Sequence, residues 1–253
     1  MSAAVLPREL LISTIATLLE GVGHVAVGAS SPAPAAGAML ARALAEEAGA
    51  RLRLSILGSV EHNFFTNGSA ELFDCAAQGR IDAFFLGGGQ IDGRGNVNLV
   101  GLGGYPQSQL RWPGSFGSAY LYYVVPRVIL FREEHSPRVL VGEAEFISAP
   151  GTSPEGVHRS GGPVALLTGK CLFHFDKARA GFTLVSLHPG VSLEEVKDLT
   201  GFAFQHAANV PQTPLPEGAR LQLLRGRVRA EVAGSYPAFA TSWGAELKSE
   251  AKA

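Results

Sequence analysis

Phe85-Leu86-Gly87-Gly88-Gly89-Gln90-Ile91-Asp92, followed by Gly95-Asn96 and Asn98, is the stretch whose reading decides the fold. Asp82 to Leu86 is a short apolar run of the kind that forms a buried strand, and it leads directly into three glycines. Glycine lets a ligand or another backbone approach closely, and successive N–H groups can bind a phosphate or a developing oxyanion. The same residues also suit a tight strand-to-hairpin turn, with Asp92-Gly93 and Gly95-Asn96 as turn formers. On residue types alone the turn reading has the advantage, because glycine-rich loops are common and weakly specific.

Upstream, Pro7 opens a helix whose apolar residues Leu10, Leu11, Ile15, Leu18 and Leu19 recur at helical spacing up to Gly21 and Gly23. His24 to Gly28 reads as a buried strand, the alanine-rich stretch 35–48 as a helix, 51–57 as the next strand and 70–78 as another helix. Strands alternating with helices predict an open, largely parallel sheet covered by helices. Residues 101–118, rich in Gly, Pro and Ser, form a long loop of the kind kept for function. Beyond it the pattern turns to strands at 127–132, 139–147, 164–175 with a Gly169-Lys170 turn, and 183–187. Tyr120, Tyr122 and Tyr123 read as strand packing. One further helix covers 192–199, with Ser192 as N-cap and Glu195 as its capping-box partner. The prediction is a single α/β domain over 1–253 with an antiparallel-rich second half and a frayed tail at 245–253.

The 253 residues are 46% hydrophobic with a net charge of −1, enough for a buried core and without a basic footprint for nucleic acid. Leu10 to Leu19 is too short to span a bilayer and no small-residue cleavage site follows it, so no membrane association is expected. Cys75 and Cys171 lie far apart without metal spacing, which points to a reduced, cytoplasmic protein. The seven histidines show no metal-ligand spacing, and no metal is expected. Gly21-Val22-Gly23 precedes a strand instead of following one, which argues against dinucleotide binding.

The long string resembles the Gly-Gly-x-Gln-Ile-Asp-x-x-Gly-Asn-x-Asn signature of β-subunits of family I CoA-transferases, such as that of glutaconate CoA-transferase. His135-Ser136-Pro137-Arg138, Ser148-Ala149-Pro150-Gly151 and Leu187-His188-Pro189-Gly190-Val191 are similar, in the same order, to three shorter family motifs, the first on a central strand. The resemblance covers most of residues 20–205. It implies a CoA-transferase-like fold, a coenzyme A thioester as substrate with no bound cofactor, and an α-type partner subunit in an α2β2 or larger assembly.

It also implies roles. Gly88 and Gly89 would supply N–H groups near the thioester carbonyl, Gln90 would orient the acyl group, and Asn96 and Asn98 would support the substrate loop. Family transferases carry a nucleophilic glutamate at the end of the strand equivalent to 51–57, and alignment on Gly58 places Ile56 there. Isoleucine cannot attack a thioester. Glu61, beside His62 and Asn63, is the nearest substitute and suits a solvated loop carboxylate equally well. Some family β-subunits lack the nucleophile, notably those of ring-cleaving acyl-CoA hydrolases of bacterial steroid degradation, which share a Ser-Leu-His-Pro-Gly turn like Ser186 to Gly190 here. The expectation is therefore an acyl-CoA-processing β-subunit, with ring-opening hydrolysis as the reaction the missing glutamate favours. The alternatives are a conventional 3-oxoacid or glutaconate-type transferase subunit and a non-catalytic scaffold for an active α-subunit.

Overall fold

The computed structural model describes residues 4–104 and 106–250. They fall into two compact units, one built from the chain up to Gly68 and from Pro214 onward, the other from Ser69 to Thr213.

The first unit opens with α1 (Pro7–Leu18), where Glu9 reaches back to accept the Leu6 N–H at 3.0 Å and so satisfies one of the free donors of the first turn. β1 (His24–Val27) is buried throughout. It continues through α2 (Pro32–Glu47) to β2 (Arg53–Ile56), which pairs parallel to β1 from His24↔Arg53 to Val27↔Ile56. α1 and α2 meet at Gly37, where a Cβ would lie 2.2 Å from Ile15 Cγ2, so only glycine permits that approach.

The second unit begins with α3 (Gly68–Ala77), β3 (Ala83–Leu86), β4 (Gln90–Asp92) and β5 (Val97–Asn98). There follow β6 (Gly101–Leu102), β7 (Leu110–Arg111), α4 (Ser118–Val124), β8 (Arg127–Arg132) and β9 (Leu140–Val141). β10 (Pro163–Thr168), β11 (Cys171–Asp176), β12 (Gly181–Leu187), α5 (Leu193–Leu199) and β13 (Gln205–His206) complete it. Its main sheet runs β13-β12-β11-β10-β8-β3. β3, β8 and β10 are parallel, whereas β10, β11 and β12 form an antiparallel meander. This is the α/β arrangement the sequence predicts, with its antiparallel second half. A small sheet β5-β4-β9 and the hairpin β6–β7 stand beside it.

Three local expectations are corrected. Only Leu140–Val141 of the stretch 139–147 is a strand, because the following residues turn back toward β5, where Ser148 and Ala149 both donate to the Val97 carbonyl at 3.1 Å. The three tyrosines belong to the helix α4, which starts after a left-handed Gly117, and the Tyr122 hydroxyl donates to the Gly95 carbonyl at 2.7 Å. His135 lies in the turn after β8, not on a central strand.

The chain then returns to the first unit as α6 (Gly218–Leu223), a π-helical turn at Leu224–Val228, α7 (Arg229–Ser235) and α8 (Pro237–Glu250). Residues 245–250 of the predicted frayed tail are the last turns of α8, and 251–253 lie outside the described residues. Among the described residues no helix is long and apolar enough to cross a membrane.

Candidate functional site

β3 delivers the chain to the glycine loop, and a network of side-chain amides and carboxylates fixes everything after it. β4 pairs antiparallel with β5, Gln90 opposite Asn98 and Ile91 opposite Val97. Between them the Asp92 carboxylate accepts the N–H groups of Arg94 (2.9 Å) and Asn96 (3.0 Å) and the Asn96 amide (2.9 Å). This is an Asx turn closed by a left-handed Gly95. Asn96 Oδ1 in turn accepts the Gly151 N–H at 3.0 Å, so the Ser148–Gly151 motif is fastened to the glycine-loop motif. Asn98 holds its own loop by donating to the Gly101 carbonyl and accepting from the Val100 N–H.

The geometry reassigns several expected roles. A Cβ on Gly88 would sit 2.4 Å from Val97 Cγ1, and one on Gly89 would fall 2.0 Å from the Trp112 indole. The Gly89 N–H already donates to the Asn98 carbonyl at 2.9 Å. Gln90 is buried with its amide engaged on both sides: Oε1 accepts from Asn98 Nδ2 (2.8 Å) and the Glu145 N–H (3.0 Å), and Nε2 donates to Glu145 Oε1 (3.1 Å). A buried amide so satisfied does not reorient without losing those bonds. Gly89 and Gln90 therefore build the loop here, instead of presenting their polar groups outward. Sequence reasoning missed Glu145 and Trp112. Glu145 also accepts the Gly103 N–H at 2.8 Å, which ties the β6–β7 hairpin to Gln90. Its only sequence signal was a carboxylate in a run read as strand.

Ile56 and Glu61 belong to the first unit. Ile56 ends β2, fully buried, and its N–H donates to the His62 carbonyl at 2.9 Å across a turn containing left-handed Gly58. Glu61 is exposed on that turn. His62 and Arg42 both reach Glu231, which docks the turn against α7.

His135 and Cys171 sit in a buried polar network of the second unit. His135 Nδ1 pairs with Thr168 Oγ1 (2.8 Å), and Nε2 pairs with Thr200 Oγ1 (2.9 Å). Burial, helped by the nearby Lys170 charge, lowers the His135 pKa to about 4. Burial pushes the Cys171 thiol up to about 12, so it is neither thiolate nor nucleophile at neutral pH. His188 bonds the Thr168 carbonyl and Thr213 Oγ1, each at 2.9 Å, and burial lowers its pKa as well. These are structural ties. Among the described residues no group of three or more His, Cys, Asp or Glu could hold a metal ion.

An open sheet whose strand runs into this glutamine-aspartate-asparagine loop defines a class, the coenzyme A transferase fold, and the family model described as coenzyme A transferase matches residues 13–199. The chain belongs to that family. It is 35% identical over 153 residues to the β-type subunit of the 3-oxoadipate CoA-transferase of Pseudomonas knackmussii, covering 58% of each chain. It is 28% identical over 159 residues to the IpdB subunit of the cholesterol ring-cleaving hydrolase of Rhodococcus jostii, covering 61% of this chain and 62% of that one. In each case the match spans about three fifths of the relative's length. The crystal structure of the decarboxylase AibA/AibB superposes over 90% of this chain and 98% of that one, with TM-score 0.73 and 25% identity.

Proposed function

We propose that this chain is the β-subunit of a heteromeric acyl-CoA enzyme, and that its reaction is hydrolytic instead of a CoA transfer through its own glutamate. The observation that carries this reading is Ile56: an apolar, fully buried side chain ends β2, where the resemblance to transferases asks for a carboxylate. A carboxylate nucleophile cannot be replaced by an alkyl group. In the ring-opening version, a carboxylate of the α-type partner takes a proton from water. The resulting hydroxide adds to a ring carbonyl carbon of a cyclic β-diketone-like acyl-CoA, the adjacent carbon–carbon bond breaks, and the departing carbanion takes up a proton. The Gly88 N–H is the donor this reading places near the acyl carbonyl, while Gln90, Asn96 and Asn98 hold the loop. Kinship with IpdB favours a steroid-derived acyl group. The partner is an α-type subunit in an α2β2 or larger complex in the cytoplasm, with the CoA thioester as substrate and no bound cofactor.

The 35% identity to a 3-oxoadipate CoA-transferase subunit favours a second reading, conventional transfer with Glu61 standing in as nucleophile. Trapping separates the two. The chain, co-purified with the product of its neighbouring α-type gene, is incubated with acyl-CoA and then with hydroxylamine or borohydride, and its peptides are weighed. Turnover without modification of this chain is expected; a glutamyl adduct at Glu61 would establish the transferase instead. A third reading, a silent scaffold, predicts that Gly88→Ala leaves turnover of a folded complex unchanged.

A further inference from the structure

Within the second unit, the Asx turn and the Ser148–Gly151 motif do more than brace the glycine loop. Arg94 stands at the tip of the turn, where the Asp92 carboxylate holds its N–H, and Asn96 clasps the Gly151 N–H of the neighbouring segment. The clasp is close: a Cβ on Gly151 would lie 2.2 Å from the Arg94 carbonyl oxygen. Together they surround a cavity of about 300 Å³ lined by Arg94, Asn96, Ile147, Thr152, Ser153 and Pro154. Among the described residues neither the Arg94 guanidinium nor the Thr152 and Ser153 hydroxyls have a partner. The acid of the turn, Asp92, has its oxygens engaged with Arg94 and Asn96 donors and is buried.

We propose that this cavity is an oxyanion subsite in which the Arg94 guanidinium and the Thr152 and Ser153 hydroxyls bind a phosphate or carboxylate carried by the substrate. A guanidinium beside hydroxyl donors matches the oxygens of either group, and the cavity is at the lower end of the size of small-molecule sites. Ile147 and Pro154 give the anion an apolar wall, which strengthens the charge interaction by excluding water. The subsite rests on the acyl-CoA reading for the identity of its ligand. A CoA phosphate and a free carboxylate at the far end of the acyl chain are the two sources of the anion.

Titration calorimetry of the full chain with CoA, dephospho-CoA, glutarate and butyrate tests this, comparing the natural chain with Arg94→Gln, Arg94→Lys and Gly151→Ala. Arg94 is exposed, so Arg94→Gln is expected to melt like the natural chain. It should weaken the cognate anion about tenfold, the worth of one charge-assisted hydrogen bond, with Arg94→Lys recovering part of the loss. A loss confined to CoA and absent with dephospho-CoA identifies the CoA phosphate as the ligand. A loss confined to glutarate, with butyrate never bound, identifies an acyl carboxylate. Gly151→Ala should reproduce the weakening by parting the two loops. Equal binding of every probe to the natural chain and Arg94→Gln, or no binding of any probe, overturns the subsite. Arg94-dependent binding of glutarate with no affinity for CoA keeps the anion pocket and removes the acyl-CoA reading.

Discussion

Val97 and Trp112 occupy the space that Gly88 and Gly89 leave, which gives each of these two glycines a packing reason before any ligand is considered. Val97 is fully buried and cannot withdraw from a new methyl group. Gly88→Ala should therefore cost about 1–3 kcal/mol of stability, the usual range for overpacking. The Val97→Ala change removes the offending Cγ1. In that background the cost of Gly88→Ala should fall by about 1 kcal/mol or more, a coupling that a double-mutant cycle of urea unfolding measures directly. Additive effects would show that the methyl group meets the Gln90 and Asn98 carbonyls instead, both within 3.2 Å of the same point. The loop was legible in sequence as a turn and as a family signature. Its neighbours were not, because nothing local links Gly89 to Trp112 or Gln90 to Glu145, which is fifty-five residues distant. Such partners are set by tertiary register, which periodicity does not encode.

At the scale of elements, His135 joins the end of β8 to Thr168 of β10 and to Thr200 at the end of α5. Its pKa is about 4 in the fold against an ordinary 6.5, lowered chiefly by burial. The folded state thus binds fewer protons than the unfolded one between those values. Stability from this group is fully present above pH 6.5 and is lost as pH falls through the window toward 4. His188 shifts in the same direction and adds to the slope. Between pH 7 and pH 5 His135 alone should remove about 2 kcal/mol. Denaturant midpoints at the two pH values check this: His135→Gln should be less stable at pH 7 yet flatter with pH, and an unchanged slope would move the effect to other groups. Ser192 capping α5 from its own side chain was readable in sequence, since the bond to the Glu195 N–H spans three residues. α4 was misread because Tyr120, Tyr122 and Tyr123 carry strand propensity, while the helix is set by left-handed Gly117 and by Ser118 bonding the Gly114 carbonyl.

Over the whole molecule the least legible feature is that the chain's two ends build one unit. Gly226, Gly234 and Pro237 interrupt the apolar periodicity of residues 218–250, which conceals the three helices and the π turn there. What joins the ends is a carboxylate: Glu9, fully buried in α1, receives Arg225 through two hydrogen bonds of 2.7 Å, and Trp243 Nε1 lies 3.4 Å from it. Removing the guanidinium strands a buried charge, which ordinarily costs about 3–5 kcal/mol. The two tryptophans fall one in each unit, Trp243 with the terminal helices and Trp112 beside the glycine loop. Single-tryptophan versions made with Trp112→Phe and Trp243→Phe therefore report the units separately. Arg225→Met should lower the urea midpoint seen by Trp243 by at least 1 M, taking a slope of about 1–3 kcal/mol per molar urea, and leave that seen by Trp112 within error. If both midpoints fall together, the terminal unit and the glycine-loop unit unfold as one cooperative body, and the carboxylate at Glu9 stabilises the candidate site as well as the chain's ends.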